Sequence, residues 1–312
     1  MADIILLDGG MGQELVRRSA EPPSPLWSAR VMEREPHLVE AVHREFVAAG
    51  ARVATLNAYS ATPERLGRHM AREEADARFE ALQHAAIAIA RAALANAPHP
   101  VAIAGCLPPL GGSYHPEAGP AFEAALDTYH RIVALQGEAC AVMLTETMSS
   151  SGEARAAARA ARAGGHRAWT ALSVDDADGT RLRSGEPLEA GIAAAVEEGA
   201  GALLLNCSRP EAVAAGLGIL AAAGLPFGAY ANGFTNAAEL RIGATVEGMG
   251  VRTDLGPDAY AEHAMAWVER GATIVGGCCE VGPAHIARLA ERIEAAGHRL
   301  VAPGHDGAAL AA

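Results

Sequence analysis

Three cysteines have the spacing most typical of a reactive centre. Cys207 ends one apolar run of the chain, and Cys278 and Cys279 lie side by side at the end of another. Thiolates are soft ligands that favour zinc over magnesium or calcium, and three of them leave one position of a tetrahedral ion open, as in catalytic zinc sites. The sequence therefore predicts that Cys207, Cys278 and Cys279 together bind Zn²⁺.

Two other interpretations fit the same cysteines. Cys207 could be a small core residue, and the adjacent pair could be inert or could form a strained vicinal disulfide. Cys278 and Cys279 would also point to opposite faces of a regular strand. However, Gly276 and Gly277 directly before them permit an irregular backbone that turns both sulfur atoms to one side. The combination of the pair with Cys207 favours the metal site.

Acidic residues and glycines end two other apolar runs. Glu146 lies at such an end, where a carboxylate must meet a cation or take up a proton. We expect a cationic ligand there, and the alternative is an ion pair with one of the arginines. Asp8 ends the first run, and its alternative role is to cap the following helix. Gly9, Gly10 and Met11 are expected to donate backbone N–H groups to a substrate carboxylate.

Eight short apolar runs alternate with longer amphipathic segments along the chain. The runs are nearly continuous in hydrophobicity, as expected for parallel strands that are covered on both faces. They comprise residues 4–8, 53–59, 101–107, 142–147, 168–174, 202–207, 227–232 and 273–279. Helices are expected between them, for example over residues 73–96, 121–138, 153–163, 187–198 and 257–270.

This alternation predicts an α/β fold, a single (β/α)8 TIM barrel over residues 1–298. The main alternative is a doubly wound sheet, which usually has fewer strands. Residues 299–312 are rich in glycine and alanine and are expected to form a flexible tail. Functional groups of a barrel lie at the carboxyl ends of its strands, which is where Asp8, Glu146 and Cys207 fall.

The composition argues against several classes of function. The 312 residues carry a formal net charge of -12 and include no lysine, so neither nucleic-acid binding nor a mechanism that needs a lysine amine is expected. Five cysteines are too few for a disulfide scaffold. No apolar run has the roughly 20 residues that cross a bilayer, and the first residues do not resemble a signal peptide. We expect a cytoplasmic protein with reduced thiols and no membrane partner.

The sequence resembles the zinc-dependent homocysteine S-methyltransferase family, which includes betaine-, S-methylmethionine- and cobalamin-dependent enzymes. The matching segments are residues 7–12 (LDGGMG), 26–29 (LWSA), 43–46 (HREF), 49–51 (AGA), 145–147 (TET), 206–207 (NC) and 276–279 (GGCC). The resemblance implies a homocysteine-binding barrel, zinc held by Cys207, Cys278 and Cys279, and methyl transfer to homocysteine in methionine biosynthesis. It also implies that Asp8 and Glu146 surround the amino group of homocysteine.

A sulfonium compound is the methyl donor that the sequence favours. Residues 26–30 and 58–63 look closest to the branch that uses S-methylmethionine, and S-adenosylmethionine is the second candidate. Trp27 and Tyr59 would offer aromatic faces to such a cation, unless they only pack at the barrel top. Betaine is the alternative donor. Ser60 and Thr147 argue against it, because they stand where the betaine branch carries aromatic residues.

Further candidates and alternatives concern the substrate and the fold. Asn206 and Asn232 are candidates for contact with the substrate, although Asn232 fits a turn equally well. A different thiol or a selenol is an alternative acceptor at the same zinc site. A distant alternative is a Rossmann-type S-adenosylmethionine methyltransferase, because residues 8–12 match its glycine-rich loop. The sequence is also compatible with a homo-oligomer.

Overall fold

The computed structural model describes residues 1–22, 24–244 and 249–304. Each of the eight predicted apolar runs overlaps a strand. These strands are β1 (Asp3–Leu6), β2 (Val53–Thr55), β3 (Ala102–Leu107), β4 (Val142–Met148), β5 (Ala168–Leu172), β6 (Ala202–Asn206), β7 (Phe227–Tyr230) and β8 (Ile274–Val275). A ninth strand, β9 (Arg299–Leu300), was not predicted.

The strands form one parallel sheet in the order β2-β3-β4-β5-β6-β7-β8-β1-β9. The sheet closes on itself because Leu7, directly after β1, forms a parallel bridge with Val53 of β2. The N–H of Arg52 also donates to the carbonyl of Leu6 at 2.7 Å. Closure confirms the predicted (β/α)8 barrel, and it excludes the doubly wound sheet and the Rossmann-type alternative, whose sheets remain open.

Helices surround the barrel. They are α1 (Met11–Arg18), α2 (Trp27–Arg34), α3 (Pro36–Ala48), α4 (Pro63–Leu66), α5 (Arg72–Leu94), α6 (Phe122–Gln136), α7 (Ser151–Ala163), α8 (Leu188–Glu197), α9 (Pro210–Ala221), α10 (Pro257–Glu269) and α11 (Pro283–Ala295). Proline begins five of them, because its fixed φ and missing N–H cost nothing in a first helical turn. Within the described residues, no helix is both long enough and apolar enough to cross a membrane.

Both faces of the strands are buried, which explains their continuous hydrophobicity. In β1, Ile5 belongs to a cluster inside the barrel, whereas Ile4 and Leu6 pack with the surrounding helices. The inner cluster includes Trp169 of β5 and Leu204 of β6, so the barrel interior is filled with side chains below its carboxyl end. A polar site at the carboxyl end would therefore lie directly above packed apolar side chains.

Two predicted boundaries are wrong for hydrogen-bonding reasons. The run at residues 53–59 forms a strand only as far as Thr55, whose N–H donates to the carboxylate of Asp8. The expected flexible tail from residue 299 instead begins with β9, which pairs with β1. Arg299 strengthens that pairing with two 2.8 Å hydrogen bonds to Asp3. The rest of the expected tail, residues 305–312, lies outside the described residues.

A buried carboxylate joins α7 to α8. Glu198 is 3% exposed, and its oxygens lie 2.6 Å from the guanidinium of Arg159 and 2.9 Å from that of Arg162. A third guanidinium, from Arg155, lies at 3.5 Å. The hydrogen bond from Arg159 lowers the pKa of Glu198, so this carboxylate is ionised and stabilises the helix pair at neutral pH.

Replacing Glu198 with glutamine should lower the free energy of unfolding by about 1–3 kcal/mol at pH 7, since three arginines lose their carboxylate. Because the folded state lowers the pKa of Glu198 from its usual 4.5, this stabilisation is present above pH 4.5 and is lost as the pH falls through the folded value. Urea unfolding should show that the difference in free energy of unfolding between Glu198→Gln and wild type is smaller at pH 3 than at pH 7.

The adjacent Glu197 provides a matched control, because its side chain is 60% exposed and pairs with Arg155. Glu197→Gln should change stability by no more than about 0.5 kcal/mol. Equal losses in the two variants would show that burial of Glu198 does not set the strength of this interaction.

Candidate active site

The candidate site is a cavity of about 860 Å³ at the carboxyl ends of the strands, open to solvent. Its lining comes from the ends of β1, β2, β4 and β7, the residues after β6 and β8, and the loop after β3. Ten of the twelve residues that the sequence singles out lie in this lining: Asp8, Gly9, Gly10, Met11, Trp27, Tyr59, Glu146, Cys207, Cys278 and Cys279.

Three sulfur atoms form a cluster in this cavity. The Sγ atoms of Cys207, Cys278 and Cys279 all lie within 4.8 Å of one another. The sulfur of Cys207 is 3.9 Å from that of Cys279 and 2.7 Å from that of Cys278. Zinc–sulfur bonds of about 2.3 Å place tetrahedral ligands about 3.8 Å apart, so the Cys207–Cys279 distance already fits an ion, and Cys207 and Cys278 would have to separate by about 1 Å. The cluster has the size and the ligand type to hold a metal ion.

The three thiols differ in their affinity for protons. Hydrogen bonds from Cys278 and Cys279 lower the pKa of Cys207 well below its usual value. The bond with Cys207 conversely raises the pKa of Cys278 and that of Cys279. Hydrogen bonding within the cluster therefore favours the ionised form of Cys207, while Cys278 and Cys279 keep their protons. A metal ion would displace these protons, because metals bind thiolates.

An unusual backbone conformation turns Cys207 into the cavity. Cys207 follows β6 directly and has φ +50°, in the left-handed region that residues other than glycine rarely adopt. Its N–H donates to the carbonyl of Tyr230 at 3.2 Å, and its carbonyl accepts from the guanidinium of Arg183 at 3.2 Å. Strand β6 therefore ends at Asn206, and the next side chain enters the site.

Hydrogen bonds from the neighbouring strands fix the turn that carries the cysteine pair. The N–H of Gly277 donates to the carbonyl of Asp8 at 3.0 Å, beyond the end of β1. The N–H of Cys278 donates to the carbonyl of Ala231 at 2.9 Å, beyond the end of β7. The turn is thus held on both sides, which places two consecutive sulfur atoms in the same cavity.

A tyrosine and a glycine also constrain this turn. The hydroxyl of Tyr260, on α10, donates to the carbonyl of Gly276 at 2.6 Å and accepts the N–H of Ala231 at 3.1 Å. A Cβ atom at Gly10 would lie 2.6 Å from the carbonyl oxygen of Cys278, so only glycine fits there. Residues distant in the sequence therefore constrain the cysteine pair.

Glu146 lies on β4 with its carboxyl group in the cavity. Its Oε1 accepts a hydrogen bond from the thiol of Cys106 on β3 at 2.9 Å. Burial raises the pKa of Glu146 to about 7, and the nearby Asp8 adds to the effect while the bond from Cys106 opposes it. Among the described residues, the hydrogen-bond partner of Glu146 is thus a thiol and not an arginine, so a cationic ligand would supply the positive charge that this carboxyl group lacks.

Asp8 is the second carboxyl group of the cavity, and it is buried, whereas Glu146 is half-buried. Its two oxygens accept the N–H of Thr55 at 2.8 Å and the hydroxyl of Thr55 at 3.0 Å. Burial raises the pKa of Asp8 to about 7, although the bonds from Thr55 lower it. Helix α1 begins after Gly10 without a side-chain cap, so the capping role considered for Asp8 is wrong.

Two of the three expected backbone donors are already engaged. The N–H of Gly10 donates to the carbonyl of Val281 at 2.9 Å, and the N–H of Met11 donates to the carbonyl of Gly9 at 2.8 Å. Neither is free for a substrate carboxylate, because this segment is also needed to hold the turn after β8. Gln13, in the first turn of α1, also lines the cavity. The backbone N–H groups of a first helical turn have no acceptor within their own helix, and that of Gln13 is one of them.

The structure does not bring Asn206 and Asn232 into the cavity lining. The side chain of Asn206 is fully buried, where it accepts the N–H of Thr147 at 2.9 Å and donates to the hydroxyl of Thr147 at 3.0 Å. It fixes the residue after Glu146 and does not line the cavity. Asn232 accepts the N–H of Phe234 at 3.2 Å, which is the turn role that the sequence also allowed.

Trp27 and Tyr59 both line the cavity. The hydroxyl of Tyr59 lies 2.8 Å from that of Ser113, and the guanidinium of Arg65 stands 5.0 Å from the centre of the Tyr59 ring. One face of Tyr59 is thus already covered by a cation and does not suit a second one. Trp27 begins α2 with φ +50°.

Four residues that contact the site were not singled out from the sequence. Thr55 ends β2, Cys106 lies near the end of β3, and Tyr114 follows in the loop after β3. The position of Thr55 and Cys106 at the carboxyl ends of strands is a signal that could have identified those two residues, whereas Tyr114 lies in a loop beyond the end of β3. Arg183, which bonds to the carbonyl of Cys207, follows β5 at a greater distance along the chain and has no such signal.

Comparison with known proteins agrees with this geometry. Residues 5–293 match the model of the homocysteine S-methyltransferase family. A homocysteine S-methyltransferase of Escherichia coli is 32% identical, over 93% of this chain and 95% of that protein. A selenocysteine Se-methyltransferase of Brassica oleracea is 26% identical, over 92% and 88% of the two chains.

A solved structure gives the same result for the fold. The metallated form of the homocysteine methyltransferase MmuM from Escherichia coli superposes with a TM-score of 0.76 and 29% identity, over 93% of this chain and 96% of that one. The sequence match and the structural match both extend over nearly the whole barrel. The chain therefore belongs to the homocysteine S-methyltransferase family, and it is a methyltransferase.

Proposed function

We propose that this enzyme transfers a methyl group from a sulfonium compound to homocysteine and forms methionine, with Zn²⁺ held by Cys207, Cys278 and Cys279. The observation that carries the proposal is the presence of three sulfur atoms within 4.8 Å of one another in a cavity that is also lined by two carboxyl groups, those of Asp8 and Glu146. Bound zinc keeps an acceptor thiol deprotonated and oriented at neutral pH. The metallated form in which the Escherichia coli relative was solved supports this assignment.

Asp8 and Glu146 suit the ammonium group of homocysteine. Both carboxyl groups have a pKa of about 7, and a cation between them would favour their ionised forms. The carboxylate of homocysteine would then lie toward the N-terminus of α1, where Gln13 lines the cavity. Held at both ends, the amino acid would present its sulfur atom to the cysteines.

The transfer is a substitution between two sulfur atoms. The methyl carbon bonds to the homocysteine sulfur as its bond to the donor sulfur breaks, and the electron pair of the broken bond stays with the donor. The donor leaves as a neutral thioether, so no oxidant or reductant is needed. The contribution of the chain is to align donor and acceptor in one cavity, whose walls include the rings of Trp27, Tyr230 and Phe234.

A positively charged donor fits the charge of the cavity, which holds thiols and two carboxyl groups. S-methylmethionine is the favoured donor and S-adenosylmethionine the second candidate. Betaine fits less well, because Ser60 and Thr147 stand where the betaine branch carries aromatic residues. Both of these residues are hydrogen-bonded to other side chains. Thr147 is bonded to Asn206, and the hydroxyl of Ser60 lies 3.2 Å from that of Ser28.

A selenol is the second candidate acceptor. The similarity to a selenocysteine Se-methyltransferase favours it, and a selenolate is chemically close to a thiolate. Competition between homocysteine and selenocysteine for a limiting donor would rank the two acceptors.

Replacing any one of Cys207, Cys278 and Cys279 with alanine should remove the bound zinc and lower methyl transfer by at least about 100-fold, while the barrel stays folded. Elemental analysis of the purified protein and assay of methionine measure the two effects. Cys140→Ala is the matched control, because Cys140 is a free thiol outside the cavity lining. Stoichiometric zinc in all three single variants would contradict the ligand assignment.

Replacing Glu146 with glutamine should raise the KM for homocysteine by about 10–100-fold, the value of a lost charge-assisted hydrogen bond, and should leave zinc content unchanged. A carboxyl group with a pKa of about 7 becomes neutral as the pH falls below 7. The wild-type kcat/KM for homocysteine should therefore fall between pH 8 and pH 6, and the variant should show a shallower dependence.

Glu153→Gln is the control for this change, because burial raises the pKa of Glu153 to about 7 as well, yet the residue lies outside this cavity. Its KM for homocysteine should match that of the wild type. If Glu146→Gln lost zinc and homocysteine to the same extent, Glu146 would belong to the support of the metal site.

A panel of donors identifies the methyl source. Zinc-loaded protein should form methionine from homocysteine faster with S-methylmethionine than with glycine betaine. In a sulfonium the positive charge lies on the donor sulfur that carries the transferred methyl group, and this sulfur leaves as a neutral thioether. S-adenosylmethionine is the informative comparison within the sulfonium class. A clear preference for betaine would overturn the interpretation of Ser60 and Thr147.

A further inference from the structure

A phenol hydroxyl contacts one sulfur atom of the cluster. The hydroxyl of Tyr114 lies 3.0 Å from the Sγ of Cys207, and both side chains are buried. Tyr114 has φ +69°, a strained conformation that its loop maintains while the ring reaches the sulfur. A thiolate that binds a metal carries no proton, so the phenol must donate this hydrogen bond.

Arg183 holds the phenol ring and Cys207 together. Its guanidinium carbon lies 4.4 Å from the centre of the Tyr114 ring, and the same side chain donates to the carbonyl of Cys207 at 3.2 Å. Arg183 itself is 4% exposed and is fixed by a 3.2 Å contact to Asp176 and a 2.8 Å bond to the hydroxyl of Ser173. Tyr114 therefore sits on a rigid, buried support.

The contact distinguishes Cys207 from the other two cysteines. In the part of the chain that the structure describes, Tyr114 is the one residue other than a cysteine whose side chain hydrogen-bonds to a sulfur of the cluster. Among the same described residues, the side-chain hydrogen-bond partners of the Cys278 and Cys279 sulfur atoms are other sulfur atoms of the cluster. Three otherwise similar ligands are thus unequal in electron density.

This inequality matters because a methyl donor does not itself distinguish protein sulfur from substrate sulfur. If Cys207 attacked a sulfonium, a carbon–sulfur bond would form on Cys207, the donor would leave as a neutral thioether, and the cysteine would become a neutral S-methylcysteine. That product would be a weak metal ligand. A site built from thiolates must therefore keep its own thiolates less reactive than the acceptor.

We propose that Tyr114 is a positioning residue that protects Cys207 from methylation, by donating a hydrogen bond that withdraws electron density from its sulfur. This inference rests on the proposed role of Cys207 as a metal ligand. Hydrogen bonds to a ligating atom tune that ligand, and a charge-assisted bond is strong enough to change its reactivity. Arg183 serves the same end by holding the ring and by polarising the phenol with its positive charge.

The test compares zinc-loaded wild type with Tyr114→Phe, which removes only the hydroxyl. Each is treated with iodomethane in the absence of homocysteine, and peptide mass spectrometry follows the methylation of Cys207, Cys278 and Cys279 over time. Cys207 should be methylated about five- to tenfold faster in the variant, with the other two cysteines unchanged. Tyr129→Phe is the matched control, because it removes another buried phenol bond, to the carbonyl of Pro108 at 2.9 Å, away from the cluster.

A second measurement does not depend on alkylation. With Co²⁺ in place of zinc, the thiolate-to-metal charge-transfer band of Tyr114→Phe should move to longer wavelength, since the Cys207 sulfur gains electron density. If Tyr114→Phe does not take up metal, the same two measurements are made on Arg183→Lys. This variant keeps a positive charge beside Asp176 but loses the planar contact with the ring, and it should show the same two changes at smaller size.

An unchanged methylation rate at Cys207 together with an unmoved cobalt band would overturn the proposal, as would faster methylation at Cys278 or Cys279 in place of Cys207. These outcomes are separable from the proposed function, which fails if zinc-loaded wild type forms no methionine from homocysteine with any sulfonium donor.

Discussion

The structure depends on bringing three sulfur atoms together from strands that are not neighbours. β7 lies between β6 and β8, and at about 4.8 Å per strand the ends of β6 and β8 are roughly 10 Å apart. Regular continuation of either strand would leave the sulfurs too distant to share an ion. Cys207 closes the gap by a left-handed bend, and the turn after β8 closes it from the other side. Much of the hydrogen bonding around the cavity serves these two bends.

Backbone strain is concentrated at this place. Among the described residues, the non-glycine residues with positive φ are Trp27, Tyr114, Thr147, Cys207 and Glu280. Four of them line the cavity, and the fifth follows Cys279. Each such conformation costs on the order of 1–3 kcal/mol and persists only where the surroundings impose it. The closed barrel supplies that constraint, because its packed apolar interior fixes the strand ends even where the residues that follow them have a strained backbone conformation.

Features set by local chemistry could be predicted from the sequence, and features set by a distant partner could not. The strands were found because burial on both faces requires continuous apolar residues, and the cysteines because soft ligands in this number have few other uses. Asn206 and Asn232 were expected at the substrate, and neither of them lines the cavity, because the orientation of an amide depends on which groups it meets. Asn206 meets Thr147, which is 59 residues away in the chain. The role of Tyr114 was missed for the same reason, since its sulfur partner is 93 residues away.

The charges of the site explain why it is stable before a substrate arrives. Asp8 is a buried carboxyl group and Glu146 a half-buried one, and both share the cavity with three cysteine thiols, so full ionisation of all these groups would place several unpaired negative charges close together. A pKa of about 7 allows each carboxyl group to hold a proton until a cation enters. An ammonium group would then displace those protons and leave the carboxylates paired. Because the proposed acceptor and donor both carry positive charge, the same groups that are costly in the empty cavity favour the substrates once they bind.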